Sequence, residues 1–131
     1  MIGLDTNVLV RHLTGDDPVQ TPKARALLAA RCTVDDPGYV NRIVLCELVW
    51  VLARGYRYDR RTIAGALEQL LNAAELLIED RDTAVDALAA YRGGQADFAD
   101  CLMGILNRVA GCDRTATFDR DAASLPDFMP V

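Results

Sequence analysis

"MIGLDTNVLV" (residues 1–10) sets a short apolar run directly before an aspartate, a threonine and an asparagine, after which apolar residues resume. Asp and Asn commonly end strands and start helices, so Asp5 reads first as a helix cap. In an open α/β sheet the same place, just past the carboxyl end of a strand, is where binding sites are built. The rest of the chain must choose between the two. Strand candidates at residues 2–4, 38–40, 75–78, 115–118 and 128–129 alternate with helical patterns, which predicts a parallel α/β sheet.

The helices between those strands have legible starts. Pro18 and Pro22 open one through "KARALLAA" (23–30), and Asn41 caps one with apolar positions at Val44, Leu48, Val51 and Leu52. Asp59 caps the next, through "RTIAGALEQLL" (61–71), and Asp80 or Asp82 starts one through "AVDALAAY" (84–91). The clearest amphipathic stretch is "DFADCLMGILNRVAG" (97–111). Its apolar residues Phe98, Cys101, Leu102, Ile105, Leu106 and Val109 follow a helical stripe, and Gly111 supplies the stop. With no repeat, linker or low-complexity tract, residues 1–131 read as a single domain.

Composition narrows the class. A chain of 131 residues with 51% hydrophobic residues can bury a core without metal or disulfide staples. The longest apolar run, "IVLCELVWVLA" (43–53), is too short for a membrane helix and is interrupted by Glu47. Without a basic leader or cleavage site, the sequence is that expected of a cytoplasmic protein. Cys32, Cys46, Cys101 and Cys112 have neither zinc spacing nor a disulfide pattern, and are expected as small buried thiols. The net charge of −5 does not suggest a nucleic-acid binder by bulk electrostatics. Either the partner is basic or the acids gather to hold a cation. The single histidine, His12, rules out phosphodiester cleavage by a pair of histidines.

Four acids stand out by context. Asp5 and Asp119 (in "TATFDRD", 115–121) each follow a strand that the pattern makes buried. Asp100 lies in the first turn of the 97–111 helix beside its apolar stripe, and Glu47 flanks the core stripe of its own helix. Each has an ordinary explanation. Asp97 and Asp100 suit the positive end of a helix dipole, Asp119 and Asp121 can open a short final helix, and Glu47 can pair with Arg42. Taken together they make a different case. Strand-to-helix connections of such a fold collect at one sheet edge, and carboxylates meeting there without a cation repel one another. Oxygen ligands of this kind suit Mg²⁺ or Mn²⁺, which makes Asp5 a metal ligand.

The blocks "MIGLDTNVLVRHLTGDD", "ELVWVL", "DFADCLMGILNRVAGC" and "TFDRDA", in that order, resemble the PIN-domain family, and within it the VapC-type toxins. The resemblance implies a three-layer α/β/α fold around a central parallel sheet of strand order 3-2-1-4-5. It implies a metal-dependent endoribonuclease whose acidic centre is Asp5, Glu47, Asp100 and Asp119, binding Mg²⁺ or Mn²⁺. Asp97, Asp121, Thr6, Asn7 and Thr117 correspond to supporting positions that orient the carboxylates. A cation-activated water as nucleophile leaves 5′-phosphate and 3′-hydroxyl ends and makes no chemical use of the 2′-hydroxyl, so any preference for RNA rests on binding. Cognate VapB-like antitoxin and homodimer are the partners implied, with no membrane.

"ARGYRYDRRT" (53–62) interleaves arginines with Tyr56 and Tyr58, which suits an RNA platform or a solvated helix junction capped by Asp59. Arg54 and Arg57 there, with Arg11, Arg108 and Arg120, are the candidate RNA contacts. Trp50 is a groove or dimer residue, or simply core. Haloacid-dehalogenase and receiver-type phosphotransfer require a late lysine, whereas Lys23 is the only one, and the former also requires an aspartate where Asn7 stands. A PIN nuclease without an antitoxin, and a non-catalytic PIN-fold RNA- or protein-binding module, remain open as alternatives.

Overall fold

The parallel pairing of residues 2–3, 38–40 and 76–78 places three acid- or amide-tipped strand ends on one edge. In the computed structural model, which describes residues 1–131, β1 (Ile2–Gly3), β2 (Gly38–Val40) and β3 (Leu76–Ile78) form a parallel sheet of order β1-β2-β3. Ile2 pairs with Gly38, and Gly38 with Leu76. Their carboxyl ends run into Asp5, Asn41 and Glu79. The helices of this unit, Met1–Arg81, are α1 (Thr6–Thr14), α2 (Gln20–Arg31), α3 (Arg42–Arg54) and α4 (Arg60–Asn72). Helix α1 packs on α2 and α3, and α3 packs on α4. Leu9, Leu45, Leu48, Leu52, Ile63 and Leu67 are buried there.

The second compact unit, Asp82–Val131, carries α5 (Arg81–Arg92, its first residue lying in the first unit), α6 (Phe98–Val109), β4 (Thr115–Thr117), α7 (Arg120–Ala123) and β5 (Phe128–Pro130). Strands β4 and β5 pair in parallel as a ladder of their own. The five strands are therefore a three-stranded sheet and a two-stranded one, the expected 3-2-1 and 4-5 portions of the order. Mixed helix and parallel sheet, flanked by helices, is the α/β architecture the motifs imply. No helix is long and apolar enough to cross a membrane.

Several local expectations need correction. Pro18 and Pro22 do not start α2 by themselves. Asp17 Oδ1 accepts the amides of Val19 and Gln20 at 2.9 and 2.7 Å, a carboxylate filling unpaired donors at a helix start. β4 is half-exposed rather than buried, and Phe118 lies outside it at 87% exposure. The stripe of α6 leaves the core at its end, where Val109 is exposed. Cys32 and Cys101 are buried and Cys46 half-buried, but Cys112, in the turn beyond α6, is exposed.

Packing of α6 on β5 depends on a missing side chain. A Cβ on Gly104 would stand 2.5 Å from the Phe128 ring and 3.1 Å from Asp127 Cβ. Phe128 is itself buried and cannot swing away. Gly104→Ala gains up to about 1 kcal/mol of helix propensity but incurs overpacking of about 1–3 kcal/mol. The expected outcome is a lower midpoint of thermal unfolding, read by circular dichroism.

Candidate active site

Asp5 sits immediately past β1, with extended backbone, as the N-cap of α1. Its Oδ1 accepts the Thr6 amide at 2.7 Å, so the cap is real. That bond uses one carboxylate oxygen and leaves the exposed side chain without a cationic partner. Thr6 beside it is 3% exposed, and its hydroxyl Oγ1 has no hydrogen-bond partner. A buried unpaired hydroxyl costs about 1–3 kcal/mol, so its presence next to Asp5 marks a place where another polar group belongs. Asn7 is exposed on the first turn of α1.

Glu47 lies in the second turn of α3, on its exposed side. The ordinary explanation for it, a pairing with Arg42, does not hold. Arg42 instead reaches across the sheet edge, donating at 2.8 Å to Glu79 Oε2 and at 2.8 Å to Asp80 Oδ2, while its amide donates to Glu79 Oε1 at 2.9 Å. The guanidinium holds the Glu79 carboxyl below the usual carboxylate range, chiefly through that side-chain bond. Asp80 adopts a left-handed backbone (φ 47°), which Asp tolerates better than most residues. The pair anchors the end of β3 to the start of α3 and leaves Glu47 without a cation. Nothing local in the sequence signals it, because the partners are 37 and 38 residues apart.

In the second unit three acids act on one another. Asp97 is the N-cap of α6 but makes no capping bond with its side chain. Asp100 lies one turn on, partly buried. Asp119 follows β4 and caps α7, accepting the Ala122 amide at 2.9 Å. Thr117 holds that corner, its Oγ1 accepting the Asp119 amide at 3.0 Å. Burial, and then the negative charges of Asp97 and Asp119, push the Asp100 carboxyl above the usual range. Asp121 is exposed within α7. In neither unit do three His, Cys, Asp or Glu side chains stand close enough to enclose a cation as they are placed. The donor set nonetheless suits one: oxygen ligands only, with Asp97 and Asp119 repelling Asp100, and with ion pairs that lie elsewhere, such as Arg11–Asp16 and Arg108–Asp127.

The candidate RNA contacts divide by what they already bind. Arg11 donates to Gln20 at 2.7 Å and to the Tyr56 hydroxyl at 3.1 Å, and that hydroxyl donates to Asp16 at 3.2 Å. These bonds tie α1, the start of α2 and the segment after α3 together, so Arg11 and Tyr56 serve structure. Arg108 is held by both oxygens of Asp127 at 2.8 and 2.9 Å. Arg54, Arg57 and Arg120 are exposed. His12, exposed at the end of α1, has its pKa lowered by partial desolvation and then by the charge of Arg25.

Fold and donor set define an α/β protein with carboxylates placed at strand ends and helix starts. The PIN domain family model matches residues 2–127, and the chain belongs to the PIN domain family. It is also similar to a VapC ribonuclease of Aquifex aeolicus (strain VF5), 26% identical over 117 residues, covering 89% of this chain and 86% of that protein.

Proposed function

We propose that this protein is an endoribonuclease dependent on Mg²⁺ or Mn²⁺, and the toxin of a VapBC-type pair. Asp5, Glu47, Asp100 and Asp119 hold the cation in this reading, with Asp97 and Asp121 supporting them. The observation that carries it is Asp100, a partly buried carboxylate facing two like charges, an arrangement that costs folding energy and gains purpose only with a cation. When bound, the cation supplies an acidified water as nucleophile and charge stabilisation at the scissile phosphate. The protein's own groups do the rest. The Thr6 hydroxyl, buried and unpaired, is set to orient Asp5 or a polar group next to it. Thr117 fixes the backbone at Asp119, and the exposed Arg54, Arg57 and Arg120 draw in the phosphate backbone.

Similarity to a VapC ribonuclease over most of both chains supports the toxin assignment. The antitoxin is a VapB-like protein whose helix lies in an apolar groove. The cleft of about 470 Å³ lined by Leu9, Leu13, Leu28, Leu70 and Leu76, with His12 and Arg25, has the character such a helix requires. Incubating purified protein with total cellular RNA, with Mg²⁺ or Mn²⁺ and then with EDTA, tests the proposal. Discrete cation-dependent fragments carrying 5′-phosphates are expected. Absence of cleavage under either cation, or fragments with cyclic phosphates, would count against it.

A further inference from the structure

Helix α3 carries Glu47 on a face that water reaches. At about 3.6 residues per turn, Ile43, Glu47, Trp50 and Arg54 fall on one stripe of it. Ile43 is 66% and Trp50 63% exposed, so the only tryptophan of the chain stands in solvent one turn beyond the acid. An indole so placed forgoes the burial that large aromatic rings ordinarily gain.

We propose that Trp50 is a stacking platform for a base of single-stranded nucleic acid, with Arg54 receiving a phosphate of the same strand. This deepens the nuclease reading above and rests on it. Along the helix axis Trp50 stands about 4.5 Å from Glu47, and Arg54 about 6 Å further on, from the rise of 1.5 Å per residue. A strand engaged at the acid therefore meets an aromatic face and then a cation within about one nucleotide's reach, the combination by which single strands are bound.

Charge favours a polyanionic occupant such as a nucleic-acid strand over a basic one. The chain is net −5, yet residues 54–61 hold four arginines against one acid, Asp59. That acid is already occupied, accepting the Thr62 amide at 2.8 Å as the cap of α4. Arg54, Arg57 and Arg61 are exposed, so the end of α3 and the segment after it present positive charge to solvent. The Tyr56 and Tyr58 rings, 5.7 Å apart, lie in the same segment.

Because the chain has one tryptophan, its emission reports on this position alone. Wild-type protein in Ca²⁺ is titrated with a short random-sequence single-stranded oligoribonucleotide, a sufficient probe because stacking tolerates any base. Saturable quenching of the indole is expected. In Mg²⁺, Trp50→Ala is expected to raise KM for RNA cleavage about 5- to 100-fold with kcat little changed and the unfolding midpoint retained, and Trp50→Tyr to restore most of it. Oligonucleotide binding seen by anisotropy without any change in Trp50 emission would overturn the proposal, as would an unchanged KM in Trp50→Ala. So would an emission shift with protein concentration alone, together with dimers by light scattering, since a second copy would then cover the face. The two readings fail separately. Quenching without cleavage removes the nuclease, whereas cleavage without quenching removes only the platform.

Discussion

Asp100→Asn is expected to reduce RNA cleavage by at least about 100-fold, since losing even an outer partner of a metal ligand costs about 10- to 100-fold. The same substitution is expected to leave the cation-free protein as stable as the wild type, or more so. Wild-type Asp100 is partly buried and faces Asp97 and Asp119, which together raise its pKa. A carboxyl that holds its proton more tightly when folded stabilises the fold fully below its ordinary value of 3.8, and that contribution is lost as pH rises through the raised one. At neutral pH the wild type bears the whole penalty, and the amide, which does not ionise, bears none. Opposing this is the helix dipole, which favours negative charge in the first turn of α6 by about 0.3–1 kcal/mol. The raised pKa indicates that repulsion and burial win. Thermal melts across pH, with and without Mg²⁺, separate the contributions. Ligand at 100 times its Kd adds about 2.7 kcal/mol to a native state that binds it. That gain is expected for the wild type and not for Asp100→Asn.

Phe98→Ala is expected to cost about 3–5 kcal/mol, the usual loss for a large aromatic removed from a core. On a chain of this size that lowers the unfolding midpoint by about 10–20 °C. Phe98 is 1% exposed and meets Tyr91 of α5 edge-on, with ring centroids 6.1 Å apart. It lies between Asp97 and Asp100 in the first turn of α6, so the ring that fills the core also sets where both acids stand. Cleavage is therefore expected to fall in Phe98→Ala even well below its unfolding midpoint, as the first turn loosens. Phe98→Leu, which retains most of the apolar volume, should recover most of both. Circular dichroism melts and a cleavage assay at low temperature read the two effects. A destabilised variant with full activity would detach the acids from the packing.

What the sequence made legible follows from how local each signal is. The caps at Asn41 and Asp59 and the stripe from Phe98 to Leu106 depend on residues within a few positions, and the structure has them as expected. Asp5 and Asp119 were legible as residues just past strands, and each proves to be a helix cap as well. Capping and ligation use different lone pairs of one carboxylate, so the two roles did not exclude each other. Less legible were pairings between distant residues. Proximity in sequence offered Arg42 as the ordinary partner of Glu47, while Glu79 takes it through the parallel pairing of β2 with β3. Arg11 and Arg108 read as candidate RNA contacts, yet Gln20, Tyr56 and Asp127 engage them. Exposure at element ends also escaped the pattern, because Val109 and Phe118 are apolar without being covered.

On the proposed nuclease reading, Asp5 and Asp119 both serve the binding of the catalytic cation. Mn²⁺ binding, followed by electron paramagnetic resonance of the free ion, tests it most directly in wild type, Asp5→Asn and Asp119→Asn. Each single substitution is expected to weaken the same binding event by about 10-fold or more. Wild-type affinity retained in Asp5→Asn, with loss only in Asp119→Asn, would contradict the claim and return Asp5 to the role of a helix cap.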